Sequence, residues 1–226
     1  MIDATAVALS AIHNVGRTYF QRRYTILFYT LVFTVVASPV IASFGLSGGI
    51  IESLLAASLL TAVMPVEIGT SRGFLLAIMA AVWLARPAIA WLGHEVLSAM
   101  TLILWTLIGF CAAAVALRYA LRGEKVDSEH LYAALSAYLL AGVYFGLLYW
   151  VLEQVRPGTF VTAGNFSRTA AVYFSFVTLA TLGYGDIVPR SDVARGLAIV
   201  EGVGGQLFLA VLVARLLSLY SRPTED

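Results

Sequence analysis

Nine consecutive residues, Thr178-Leu179-Ala180-Thr181-Leu182-Gly183-Tyr184-Gly185-Asp186, hold the side chains and backbone types in this chain best suited to a site. The chemistry they suit is coordination of a cation by backbone oxygens. A cation stripped of water needs a ring of oxygens in its place, and carbonyls supply one when successive groups face a single axis. An ordinary strand sends its carbonyls alternately to opposite sides. Aligning them requires φ to alternate in sign, and glycine accepts φ > 0 without a Cβ clash. Gly183 and Gly185 stand two residues apart, as that backbone needs. The carbonyls of Thr181, Leu182, Gly183 and Tyr184 are then expected to stack as coordinating rings, with the Thr181 hydroxyl adding an oxygen at the inner mouth. The Tyr184 ring cannot face the axis and is expected to pack outward. Asp186 would put negative charge at the outer mouth, where cations gather. One chain supplies one strand of such a ring, and a ring needs four, which implies a symmetric tetramer.

The residues before this stretch must position it. Ser167 is a suitable N-cap for a helix over 168–178. The C-terminal end of that helix would point at the axis, where its partial negative charge favours a cation. With this flank in place, the stretch resembles the potassium-channel signature T-x-x-T-x-G-[YF]-G-D. The resemblance covers roughly residues 130–219. It implies potassium bound at Thr181, Leu182, Gly183 and Tyr184, with Gly185, Asp186, Thr178, Tyr173, Phe174 and Val177 supporting them. Three positions depart from the family pattern. Leu182 replaces the usual valine or isoleucine, though only its carbonyl would face the ion. Val177 fills a site where some bacterial members have glutamate. Tyr173 and Phe174 replace paired tryptophans, one of which donates a hydrogen bond to the filter aspartate. Phe174 has no donor, so a less rigid outer filter is expected.

Composition sets the compartment. Of 226 residues, 60% are hydrophobic and 12% charged, against about 45–50% and 25% in soluble domains. Several apolar runs approach 20 residues, the length that spans a bilayer. The formal charge of +1 gives no reason to expect nucleic acid, and no soluble partner is evident. The single cysteine, Cys111, excludes an intrachain disulfide. Residues 1–4 lack the basic start of a signal peptide, so the chain is expected to insert through its own helices.

The expected fold is an all-α membrane protein with six transmembrane helices plus a re-entrant pore helix and filter loop. Residues 1–23 form a cytoplasmic segment, read either as a short interfacial helix or as a tail. Residues 24–121 form a four-helix module with runs over 24–44, 50–68, 74–92 and 96–121. Residues 122–129 are a polar cytoplasmic linker. Residues 130–220 form the pore domain, with an outer helix over 130–152, a loop over 153–167 and an inner helix over 193–220. Residues 221–226 are a short tail. This topology leaves nine basic residues on the side of the termini (Arg17, Arg22, Arg23, Arg72, Arg118, Arg122, Lys125, Arg215, Arg222) and five opposite (Arg86, Arg156, Arg168, Arg190, Arg195). The positive-inside rule then places both termini in the cytoplasm and Asp186 outside.

The four-helix module matches voltage-sensor domains in number and arrangement only. A sensor needs several arginines at every third residue, because each charge moved is worth about 2.3 kcal/mol per 100 mV. None lies between Val96 and Leu117, so weak voltage dependence is expected. Glu52 and Arg86 are candidates for an intramembrane pair, and Arg86 could equally snorkel to the interface. Glu201, two turns into the inner helix, reads as a brace for the pore helix or filter, with ion binding as the other reading. Gly205 best matches the family's hinge glycine, and close packing is the other reading of such glycines. Gln206, Leu209, Val213 and Leu217 share one helical face, read either as the cavity lining, where Val213 or Leu217 could close the pore by dewetting, or as bundle core. The functional expectation is passive potassium conduction with no enzymatic step and no cofactor beyond potassium ions. A poorly selective cation channel and a non-conducting membrane sensor or scaffold are the alternatives.

Overall fold

The structure, a computed structural model, describes residues 22–44, 95–122 and 127–220, together with the helical residues Ala81 and Leu84. Five helices and a two-stranded ribbon lie within them: α1 Arg23–Ser43, α2 Glu95–Arg122, α3 Ser128–Val155, β1 Phe160–Thr162, α4 Arg168–Leu179, β2 Ile187–Pro189 and α5 Asp192–Tyr220. Four of the helices are long and apolar enough to cross a membrane, at 21–28 residues and mean hydropathy 1.8–2.2. The run over 50–68, the run over 74–92 apart from Ala81 and Leu84, residues 1–21 of the N-terminal segment, residues 123–126 of the linker, the tail, Glu52 and Arg86 lie outside the described residues. The fold is mostly helical rather than all-α. The correction is the ribbon, in which Phe160, Val161 and Thr162 pair antiparallel with Pro189, Val188 and Ile187.

Helix α3 is the core. Its Leu140, Val143, Tyr144 and Leu147 are buried with Leu27 and Leu31 of α1 and Trp105, Ala112 and Ala116 of α2. Pairings along the three helices fix their directions. Tyr119 stacks on His130 at 4.7 Å, and Phe110 lies near Tyr144 and Phe145, so α2 runs antiparallel to α3. Helix α1 runs parallel to α3, because both begin at the same place.

That shared beginning is held by Glu129. Its carboxylate accepts the backbone N–H of Tyr24 at 3.0 Å and of Thr25 at 3.3 Å, and also the Thr25 hydroxyl. The first N–H groups of a helix have no partner within it, and the N-cap position of α1, Arg22, offers no side-chain hydrogen bond. A carboxylate from a neighbouring helix fills that need, favoured by the positive end of the α1 dipole. Next to it, Asp127 caps α3 by accepting the His130 N–H at 3.0 Å. That backbone bond, helped by the His130 ring, holds the Asp127 carboxyl below the usual carboxylate range. The cap is therefore complete above ordinary carboxylate pH values and is lost only as pH falls through the lowered value.

Glu129→Ala would leave the Tyr24 and Thr25 N–H groups without an acceptor. A loss of about 1–2 kcal/mol is expected, read as a lower thermal midpoint in detergent, with Glu129→Gln intermediate. A midpoint unchanged in Glu129→Ala would show that the cap contributes nothing.

Candidate functional site

Helix α4 carries the site and α3 positions α4. Gly146 is the crossing point. A Cβ there would sit 2.5 Å from Val172 Cα, so only glycine lets the two backbones come this close, the small-residue device of membrane helix pairs. Ser167 caps α4 as the sequence indicates, accepting the Ala170 N–H at 3.1 Å. Arg168 places a cation at the positive end of the helix, and its guanidinium lies 4.5 Å above the Trp150 ring.

The other end of α4 lends its carbonyls to residues 180–182. The last four carbonyls of a helix lack intrahelical donors. Here Phe176 O accepts from Ala180 N at 2.9 Å, Val177 O from Leu182 N at 2.9 Å and Thr178 O from Thr181 N at 3.0 Å. Leu179 O accepts from the Tyr138 hydroxyl of α3 at 3.2 Å. The segment after α4 is thus hung directly from the helix end.

Within that segment φ is +56° at Thr181, +58° at Gly183 and +78° at Gly185. A positive φ at every second residue is the alternation that turns successive carbonyls to one side. A Cβ added to Gly183 or Gly185 would meet nothing within 4 Å, so glycine is needed there for its conformation and not for space. Sequence reasoning did not foresee the third such residue. Thr181 is β-branched, a type for which the left-handed region is a genuine outlier, and nothing in its identity signals it. Residues 181–186 are all exposed on the single chain.

The two aromatic positions of α4 face different ways. Phe174 has no donor, but it does not face Asp186. It is buried edge-on against Tyr149 at 5.1 Å and Phe160 at 5.3 Å. Its neighbour Tyr173 is exposed on the single chain, with its hydroxyl near enough to the Asp186 carboxylate for the two groups to interact. Tyr173, not Phe174, is thus the α4 aromatic on the side of Asp186. The ribbon adds a second restraint. β2 follows directly after Asp186, and the Arg190 N–H donates to Thr159 O at 2.7 Å. Glu153, at the end of α3, accepts the N–H groups of Gly158 at 2.8 Å and Phe160 at 3.0 Å, which fixes the turn into β1.

Behind the segment lies Glu201, 1% exposed. Tyr149 of α3 donates its hydroxyl to Glu201 Oε2 at 2.7 Å. Ser175 of α4 is in hydrogen-bond contact with Glu201 Oε1 and lies 2.6 Å from Gly142 O. One carboxyl thus joins α5 to both α3 and α4. These partners lie 52 and 26 positions away in sequence, which is why the sequence could not name them.

Helix α5 runs unbroken from Asp192 to Tyr220, through Gly202, Gly204 and Gly205. Gly205 is a packing glycine in this conformation, since a Cβ would sit 2.7 Å from Leu179 O. Gln206 donates to the Thr181 hydroxyl at 3.3 Å. Leu209, Val213 and Leu217, on the same face, are exposed on the single chain.

Residues 134–222 match the family model described as "Ion channel". This stretch is similar to ion-channel domains of potassium-channel type. It is similar to the inward rectifier potassium channel Kirbac3.1 of Paramagnetospirillum magnetotacticum, at 36% identity over 91 residues, or 38% of this chain and 28% of that protein. It is 35% identical over 91 residues to two pore potassium channel c of Oryza sativa subsp. japonica, covering 39% of this chain and 18% of that protein. Protein LctB of Bacillus caldotenax is 27% identical over 99 residues, covering 41% of this chain and 73% of its own length. The chain therefore spans less than a third of the two named potassium channels.

The hydrogen bonds of Glu201 set the order in which its variants lose stability. Glu201→Ala leaves the Tyr149 hydroxyl without its acceptor, a loss of about 1–3 kcal/mol. Glu201→Gln can accept from Tyr149 and donate to Ser175 Oγ, which then keeps its proton for Gly142 O. Thermal unfolding in detergent is expected to rank wild type and Glu201→Gln close together and Glu201→Ala well below. Equal losses in the two variants would overturn this arrangement.

Proposed function

We propose that this protein is the subunit of a potassium-selective channel that conducts passively across a cell membrane. The observation that carries the reading is the alternation of φ at Thr181, Gly183 and Gly185, on a segment hung from the end of α4. Four such segments around one axis would present rings of carbonyls from Thr181 to Tyr184, closed inward by the Thr181 hydroxyls and outward by Asp186. Potassium held there is the transported ion, and the reading calls for no other cofactor and no bond-making step. The homotetramer is supported by the exposure of the 181–186 segment and of Leu209, Val213 and Leu217 on the isolated chain. Apolar surface of this extent on an inner helix calls for neighbouring copies or lipid.

The remaining features accord with the same reading. The termini face the cytoplasm, in keeping with the basic-residue asymmetry. Arg118 and Arg122 fall in the last two turns of α2, where they act as interfacial anchors, and voltage dependence is weak. The packed position of Gly205 belongs to one state, and bending at Gly202–Gly205 would be a second.

Ion flux into liposomes holding the purified protein tests the proposal. Potassium influx that exceeds sodium influx and is inhibited by barium is expected. Gly183→Ala puts a Cβ at φ +58°, at about 1–2 kcal/mol per subunit, and is expected to abolish the flux. Equal sodium and potassium flux in the wild type would overturn the selectivity, and flux unaltered in Gly183→Ala would overturn the site.

A further inference from the structure

Helix α5 comes nearest to the end of α4 at Gly205, whose missing Cβ would lie 2.7 Å from Leu179 O and 2.8 Å from Leu179 Cδ1. The next residue, Gln206, is delivered by that approach to the start of the filter segment. Its Nε2 lies 3.3 Å from Thr181 Oγ1 and donates to it. Both side chains are exposed on the single chain. On the face that Gln206 shares with Leu209, Val213 and Leu217, it is the one residue with a polar side chain.

The contact matters because of what a hydroxyl can do. Thr181 Oγ1 has one proton and two lone pairs. An amide N–H directed at the oxygen occupies one lone pair and restricts the rotation of the hydroxyl. A cation at the inner mouth needs that same oxygen as a ligand. The amide leaves the second lone pair for the cation but draws electron density from the oxygen and fixes its direction, which weakens it as a ligand.

We propose that Gln206 is a positioning residue which, through the Thr181 hydroxyl, weakens and tunes the innermost cation site of the filter. The inference rests on reading Thr181 to Tyr184 as the filter. Conduction requires a site favourable enough to enter and weak enough to leave. Four threonine hydroxyls with every lone pair free would hold a dehydrated cation tightly, and a divalent ion of potassium's size, barium, most tightly of all. An N–H donor at each hydroxyl lowers that affinity without placing any charge in the cavity. Glycine at 205 and glutamine at 206 then act together, one admitting the helix and the other using the approach.

The test is barium affinity in the full-length protein, read both as inhibition of potassium flux in liposomes and by titration calorimetry in detergent, which needs no open pore. Gln206→Leu removes the donor at similar size and is expected to tighten barium about tenfold, with Gln206→Ala, a second variant should the first fail to assemble, moving the same way. In a Thr181→Ala background Gln206→Leu is expected to change nothing further, and Thr181→Ser, which keeps the hydroxyl, should restore the effect. Barium affinity unchanged in Gln206→Leu, or changed equally with and without the Thr181 hydroxyl, would overturn the inference and leave the filter reading standing. A wild-type protein that neither conducts potassium nor binds barium would remove both.

Discussion

A backbone carbonyl can face an ion only if it is released from helix and sheet, and released backbone inside a membrane must be held by protein. That constraint governs this structure. The segment after α4 gives up regular structure from Thr181 to Asp186, and nearly everything around it compensates. The last carbonyls of α4 accept from Ala180, Thr181 and Leu182 and from the Tyr138 hydroxyl. The outer end continues into a ribbon anchored by Thr159. The irregular stretch is short because each of its ends is fixed within a residue or two.

Two buried carboxyls do the joining at a larger scale. Glu129 ties the start of α1 to the start of α3, and Glu201 ties α5 to α3 and α4. Both act through α3 or its neighbours, and α3 is the most buried of the spans, at 56% of its apolar window against 11% for α5. The contrast separates two tasks. Helix α3 organises its own chain, whereas α5 touches its own chain mainly along one edge, near Glu201 and Gly205, and leaves the rest of its surface for other molecules.

Much of this was legible in the sequence, for identifiable reasons. Long apolar runs gave α1, α2, α3 and α5 to within a few residues at most ends, because hydropathy alone decides what crosses a bilayer. Ser167 marked the start of α4, since a cap is a local interaction over three residues. Gly183 and Gly185 signalled positive φ, because glycine is the residue type that tolerates it. What was not legible was long-range. The ribbon pairs two three-residue strands on either side of α4 and the segment after it, too short for any periodicity to show. Glu201 found its partners on two other helices. The aromatic pair shows the limit of reading by residue type: that Phe174 lacks a donor was visible, but not that it turns inward to Tyr149 and Phe160 while Tyr173 stays exposed.

Thr181 is the clearest case of a residue kept against its own comfort. At φ +56° a β-branched side chain stands in a region where glycine would rest without strain, and backbone strain of this kind amounts to about 1–3 kcal/mol per residue. Glycine, however, would carry no hydroxyl for Gln206 or for a cation. Position 181 thus sets robustness against use. A library of substitutions there, sorted once for heat resistance and once for transport, would put glycine near the top of the first ranking and near the bottom of the second.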